Sequence, residues 1–342
     1  MINNKMTNAD EILLSVSRII AYVLVTISFV FSGIIISIIY KKNLYKNLTN
    51  QFIIQLTVSE MINNITNFIN MFPEMMGSKE EKYHERMRVC YMQIYTSLFS
   101  NFFTLFSSLL IAFRIYDLLV YNSKFFKNKK NIKLTKLSSI FICFLMSYII
   151  WLFQMSNFQG YEVSSIKYYL LLSCWVGNVL NYITLGIFTV FIGLMFYFCL
   201  RAYMFISKFT ENYLINDKTN EPDEGEQNPE QIKKAKDVQK KLLLYPITTC
   251  VLYLCIILYS IFSLIIKENE DARDEVNVFK IISIVFYTIP TVSRGFIFAM
   301  VYLCSQKIVK QALLDFIFCK FEKNKEIHQI QLTPEMPLSD EE

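Results

Sequence analysis

Long apolar stretches alternate with short polar ones along the chain, and this pattern sets the expected fold. Apolar runs bounded by charge occupy 15–40, 48–72, 90–121, 137–156, 175–206, 242–266 and 279–303. Each has the roughly 20 residues that an α-helix needs to cross a bilayer. The pattern predicts an all-α bundle of seven transmembrane helices. The second run is the most polar, holding Gln51, Gln55, Glu60, Asn63, Asn64, Asn67 and Asn70. Within it, Val58, Ile62, Ile65, Ile69 and Phe72 recur at i, i+4, i+7, i+11 and i+14 and form one apolar stripe for lipid. The polar residues lie away from that stripe, where they can face other helices or an internal wet cavity.

The segments between the runs add little folded structure. Residues 1–14 are read as an extracellular N-terminus, and the first eighteen residues carry no short apolar core, so no cleavable signal is expected. Residues 207–241 form a long loop whose middle, 216–229, is acidic with two Pro and one Gly and reads as disordered. Residues 305–322 place Ile308, Val309, Ala312, Leu313, Phe316 and Ile317 at helical spacing among Lys307, Lys310 and Lys320. That pattern predicts a short amphipathic helix along the inner leaflet, followed by a loose tail over 323–342.

Composition removes the soluble alternatives. Of 342 residues, 54% are hydrophobic and 18% charged, against about 45–50% and about 25% in soluble domains. The net charge of +5 matters less than where the charges fall. With the N-terminus outside, the cytoplasmic segments hold three, six, seven and five Lys, and the opposite face holds nine Lys and Arg in all, Arg18 at the outer end of the first run included. Basic residues collect on the cytoplasmic side of membrane proteins, so the N-terminus is expected outside and the C-terminus inside.

Of eight Cys, only Cys90 and Cys174 fall on the oxidising face. A bridge between them would pin the second outer loop over the bundle mouth; the alternative is two unpaired thiols. Cys319, beside the inner leaflet, is either a palmitoylation site or a buried thiol. In the third run, Gln93, Ser97, Ser100, Thr104 and Ser107 make a stripe of small polar groups. Its inner half suits close helix packing. Its outer half, Gln93, Ser97, Ser100 and Asn101, suits a ligand pocket shared with Asn178, Asn181, Tyr182 and Tyr287.

Glu60 and Arg294 are ionisable residues deep in the second and seventh runs, at similar membrane depth. An unpaired charge there costs at least about 2.5–3.5 kcal/mol, so a polar network over Glu60, Asn63, Asn67 and Arg294 is expected. Either Glu60 meets Arg294, or it is protonated, or it holds a cation among its Asn and Ser neighbours. Pro246 and Pro290 each remove a backbone donor inside a run and give a static kink or a hinge. No Walker loop, nucleophile elbow or HExxH occurs, and His84 and His328 lack metal-ligand spacing. No enzymatic activity, cofactor or resident metal is expected. No nucleic-acid-binding fold is present to use the basic loops.

Seven spans, an external N-terminus and the Cys90/Cys174 pair resemble a G-protein-coupled receptor over roughly 15–320. Leu56-Thr57-Val58-Ser59-Glu60-Met61 is similar to the second-span Leu-Ala-x-Ala-Asp motif, with Glu60 in place of Asp. That likeness implies a sodium-linked polar network around Glu60. Ser173-Cys174-Trp175-Val176, Lys241-Leu242-Leu243-Leu244-Tyr245-Pro246, Arg294-Gly295-Phe296 and Ala299-Met300-Val301-Tyr302 resemble the slime-mould cyclic-AMP-receptor-like group and related fungal nutrient-sensing receptors. Arg114-Ile115-Tyr116-Asp117 departs from the Asp-Arg-Tyr order, and the seventh span lacks Asn-Pro-x-x-Tyr, with Tyr302 at the Tyr position. The resemblance implies switch roles for Arg114, Pro246, Pro290 and Tyr302.

It further implies a plasma-membrane receptor that passes an extracellular ligand signal to a heterotrimeric G protein. The expected contacts are Lys129 and Lys130 in one inner loop and Lys233, Lys234, Lys236, Lys240 and Lys241 in the next. Those basic residues serve equally well for orientation and anionic-lipid contact. The competing class is a small transporter or channel that uses the polar face of the second span.

Overall fold

The structure is a computed structural model, and it describes residues 8–70, 83–121, 124–156, 178–216, 243–268, 286, 289–305, 310–311 and 313–314. Each of the seven apolar runs contains a helix. They are α1 (Asn8–Lys41), α2 (Leu48–Asn70), α3 (Tyr83–Val120), α4 (Lys129–Ser156), α5 (Asn178–Asn216), α6 (Leu244–Glu268) and α7 (Ile289–Ser305), with a short 3-10 turn at Leu44–Lys46. No strand occurs among the described residues. Five helices hold stretches long and apolar enough to cross a membrane: 19–41, 94–120, 129–153, 183–205 and 244–261. These mark the chain as a membrane protein. α2 is long enough but too polar, and α7 is apolar but has 17 described residues.

The helices close into a ring in chain order, each touching the next, with α7 against α1. α3 runs through the middle and packs on α2, α4, α5 and α6, and α2 also reaches α7. Burial follows from this. Of the apolar window of α3, 56% is buried, against 17% for α5 on the rim.

The polarity of the bundle is inverted relative to a water-soluble protein. Phe141, Phe144, Phe153, Val190, Phe196 and Val251 are exposed, while Ser28, Asn50, Ser59, Glu60, Asn63, Asn64 and Arg294 are buried. An apolar exterior of this extent needs lipid to cover it. The α2 pattern obeys the same logic: Val58 and Ile65 face outward, and Glu60, Asn63 and Asn64 face in.

Helix limits differ from the apolar runs for one physical reason. Hydropathy marks the part of a helix that meets hydrocarbon, whereas backbone hydrogen bonding carries the helix on into polar turns. So α1 begins at Asn8, α3 at Tyr83 and α4 at Lys129, and α5 continues ten residues past 206 to Asn216. The first part of the expected 207–241 loop is therefore helix. One proline also shifts in meaning. Pro246 is the third residue of α6, in the first turn, where a backbone N–H lacks an intrahelical partner in any case. Pro290 stands at the start of the described part of α7, and residues 287 and 288 before it lie outside the described residues.

The α1–α2 and α3–α4 connections are built from local caps. Asn43 takes the left-handed conformation (φ 55°) that Asn tolerates. Asn47 Oδ1 then accepts the Thr49 N–H at 2.9 Å, and Asn128 Oδ1 accepts the Lys130 N–H at 2.9 Å. Buried Asp117 organises the second connection by accepting the Phe125 and Phe126 N–H groups at 3.2 and 3.4 Å. Phe126 is thereby held in the core against Phe52 and Phe113.

Candidate functional site

Glu60 lies twelve residues past Leu48, roughly 18 Å along α2, and Arg294 lies eleven before Ser305, roughly 16 Å along α7. Measured from the same end of the bundle, the two lie at nearly the same level. There the structure brings them together. Arg294 Nε is 3.3 Å from Glu60 Oε2, and neither side chain has exposed surface. The contact is an ion pair whose geometry falls short of a straight hydrogen bond.

Each partner is held from a second side. Thr104 of α3 donates to Glu60 Oε1 at 2.7 Å. The Ser59 hydroxyl is shared between the Ser100 carbonyl and Thr104 Oγ1, both at 2.7 Å. Arg294 Nη1 donates to Asn101 Oδ1 at 2.7 Å and to the Tyr253 oxygen at 2.6 Å. Tyr253 of α6 donates onward to Asn101 Oδ1 at 3.1 Å, and its ring lies 5.3 Å from the guanidinium carbon. One polar cluster thus joins α2, α3, α6 and α7 inside a low-dielectric bundle, where such bonds are strong and leaving one unmade is costly.

A second set of contacts draws α1 and α2 onto α7 beside it. Ser28 of α1 donates to the Val292 carbonyl at 3.0 Å and accepts the Phe296 N–H at 3.2 Å. Asn63 Nδ2 donates to the Thr291 carbonyl at 3.3 Å. Gly295 faces both helices. A Cβ there would lie 3.0 Å from Asn64 Nδ2, 3.2 Å from Ser28 Cβ and 3.2 Å from Ser32 Oγ. Below Glu60, a cavity of about 10 Å³ is bounded by Ser32, Thr57, Glu60, Gly295 and Tyr302, among others. That is the lower limit for one water.

Toward the Leu48 end of α2, Tyr302 donates to Asn50 Oδ1 at 3.3 Å, and Asn50 donates to the Leu44 carbonyl at 2.9 Å. Ser108 and Thr249 hydroxyls meet at 2.8 Å between α3 and α6. Arg114 turns toward Asp117 (3.5 Å) and over the Phe126 ring (5.3 Å). Lys129 and Lys130 are exposed in the first turn of α4.

The proposed ligand residues fare unevenly. Asn101 belongs to the Arg294 cluster. Ser100 is buried and donates to the Ser97 carbonyl at 3.0 Å, and Ser97 Oγ accepts from Asn101 Nδ2 at 3.5 Å. The side chains of Gln93, Asn178, Asn181 and Tyr182, the Asn67 side chain of the expected network, and all of Tyr287 lie outside the described residues. So do the Cys90 side chain, Cys174, Cys319 and the lysines at 233, 234, 236, 240 and 241. Of the expected amphipathic helix, five helical positions fall within the described residues, Ser305 at the end of α7 included; there Leu313 packs on the core and Lys310 is exposed.

Sequence reading did not single out Tyr253 or Ser28, and it quoted Ser59, Gly295 and Asp117 within motifs without giving them a role. Tyr253 was hidden by being counted in an apolar run. Among the described residues, no group of three or more His, Cys, Asp and Glu side chains is placed to hold a metal ion. Compared with models of known protein families and with curated proteins, the chain matches none.

Proposed function

We propose that the protein is a seven-span receptor of the plasma membrane that passes an extracellular ligand signal to a heterotrimeric G protein. The observation that carries this reading is the buried Glu60–Arg294–Tyr253–Asn101 cluster, which ties four helices together at mid-depth. A signal that crosses a bilayer needs an element with two arrangements that a ligand can bias. A cluster of directional polar bonds between helices suits this, because a small change in helix spacing breaks some bonds and makes others. The ring of helices in chain order, with α3 through its middle, is compatible with that reading.

The inner end fits a partner of opposite charge. Lys129 and Lys130 stand at the positive end of the α4 helix dipole, a position that disfavours cations by about 0.3–1 kcal/mol each. Their presence there suits an acidic protein surface or an anionic leaflet. The transporter reading draws less support. The polar face of α2 is engaged by direct side-chain contacts at Ser59, Glu60 and Asn63, and the adjoining cavity has room for about one water.

The test is a screen of ligands against guanine-nucleotide exchange in cells expressing the chain, paired with solute flux through the purified protein. We expect ligand-stimulated exchange and no flux. Tyr253→Phe, at matched surface expression, removes a bond that holds α6 to α3 and α7. It should raise ligand-independent exchange about fivefold, the equivalent of about 1 kcal/mol. Flux without exchange would move the chain to the transporter class.

A further inference from the structure

We propose that the mid-membrane ionic site carries its own counter-cation: the Arg294 guanidinium fills the place beside Glu60 that an inorganic monovalent cation would otherwise take. A carboxylate at this depth needs a positive partner or a proton. The likeness of the second-span motif to a sodium-linked one implies a metal cation, and the Ser, Thr and Asn oxygens around Glu60 are the hard donors such an ion takes. The oxygens in direct contact with the ion pair are already used, whereas among the described residues Ser32 Oγ across the small cavity and Asn64 Oδ1 one turn along α2 are not. Glu60 Oε1 accepts from Thr104 at 2.7 Å, and Oε2 faces Arg294 Nε at 3.3 Å. Asn101 Oδ1 accepts from Arg294 at 2.7 Å and from Tyr253 at 3.1 Å, and the Tyr253 oxygen accepts from Arg294 at 2.6 Å.

Charge leads to the same conclusion. Glu60 and Arg294 sum to zero, so an added cation would bring an uncompensated charge into a site with no exposed surface. A space of about 10 Å³ beneath Glu60 accommodates one water rather than an ion with its coordination shell. The residues therefore do not fit a bound sodium, because the protein supplies the cation itself. It follows that replacing the guanidinium by a neutral amide opens a cation site: Glu60 then needs a new positive partner or a proton, and the acceptor atoms of Asn101 and Tyr253 are released to a cation. This inference concerns the folded bundle and holds whether or not the chain couples to a G protein.

Thermal unfolding of the purified full-length protein in lipid nanodiscs tests it, with sodium chloride exchanged for choline chloride at constant ionic strength. The parent protein and Arg294→Lys should show the same unfolding midpoint in both salts. Arg294→Gln should be stabilised by sodium, the folded-to-unfolded ratio rising about tenfold when sodium is ten times its dissociation constant. Glu60→Gln combined with Arg294→Gln should lose that response. Recovery of folded Arg294→Gln in sodium but not in choline is the same positive result. A sodium-specific rise in the parent midpoint would overturn the proposal. So would a folded Arg294→Gln with no sodium response, or its failure to fold in either salt.

Discussion

Removing either Glu60 or Arg294 alone is expected to cost about 3–5 kcal/mol, whereas removing both with apolar residues of similar size costs far less. Glu60→Leu leaves the guanidinium buried among α2, α3, α6 and α7 with its ion-pair partner gone, and Arg294→Met does the same to the carboxylate. Neither site has exposed surface through which water could compensate. A loss of that size is a large share of the roughly 5–15 kcal/mol that holds an ordinary domain together, so each single variant should fall sharply in surface expression. The double variant Glu60→Leu with Arg294→Met removes both charges at once. Thermal stability of all four proteins in detergent gives the coupling energy directly. Independent, additive losses would show that the two residues are not partners.

The second large effect is expected at Gly295, for a steric reason. Its missing side chain lets α7 lie against α1 and α2, where Ser28 reaches into the backbone ladder of α7 between Val292 and Phe296. Gly295→Ala brings a Cβ to 3.0 Å from Asn64 Nδ2, a side-chain end that can yield, but also to 3.2 Å from Ser28 Cβ, which is fixed to the α1 backbone. The gain in helix propensity, about 0.8–1 kcal/mol, offsets most of that crowding, so the net change should stay within about 1 kcal/mol. Gly295→Leu has no such compensation. Overpacking costs about 1–3 kcal/mol where a core can shift, and here it must also separate α1 from α7 and break both Ser28 bonds. A loss of about 3 kcal/mol or more, read as a fall in unfolding midpoint with Gly295→Ala as the control, is the expected outcome. Equal stability of the Leu and Ala variants would show that the helices do not approach each other this closely.

The fold was legible because lipid leaves a strong mark on sequence. Apolar runs of the right length located all seven helices, and the inward placement of Glu60, Asn63 and Asn64 followed from the stripe of Val58 and Ile65 on the other side of α2. The depth of Glu60 and Arg294 was legible too, since it needs nothing but residue counts and the rise of a helix. Which way a uniformly apolar helix faces was not. α6 is apolar around most of its circumference, so nothing in its pattern pointed Tyr253 toward Arg294 and Asn101.

Asn101 shows the same limit from the other side. On the polar stripe of α3 it suited a ligand pocket as well as a buried bond, and the position of α6 and α7 decides between them. The roles of Gly295 and Asp117 escaped for a different reason. One acts through the absence of a side chain at a helix crossing, and the other by binding the backbone of residues eight and nine positions further on. Neither interaction leaves a periodic signal.

Signalling across a bilayer by this bundle requires that the two ends of the chain lie on opposite sides. Epitope tags at each terminus, stained on intact and on permeabilised cells, measure this directly. The N-terminal tag should be reached on intact cells and the C-terminal tag only after permeabilisation. Both tags appearing on one side would contradict seven crossings, and the receptor reading with them.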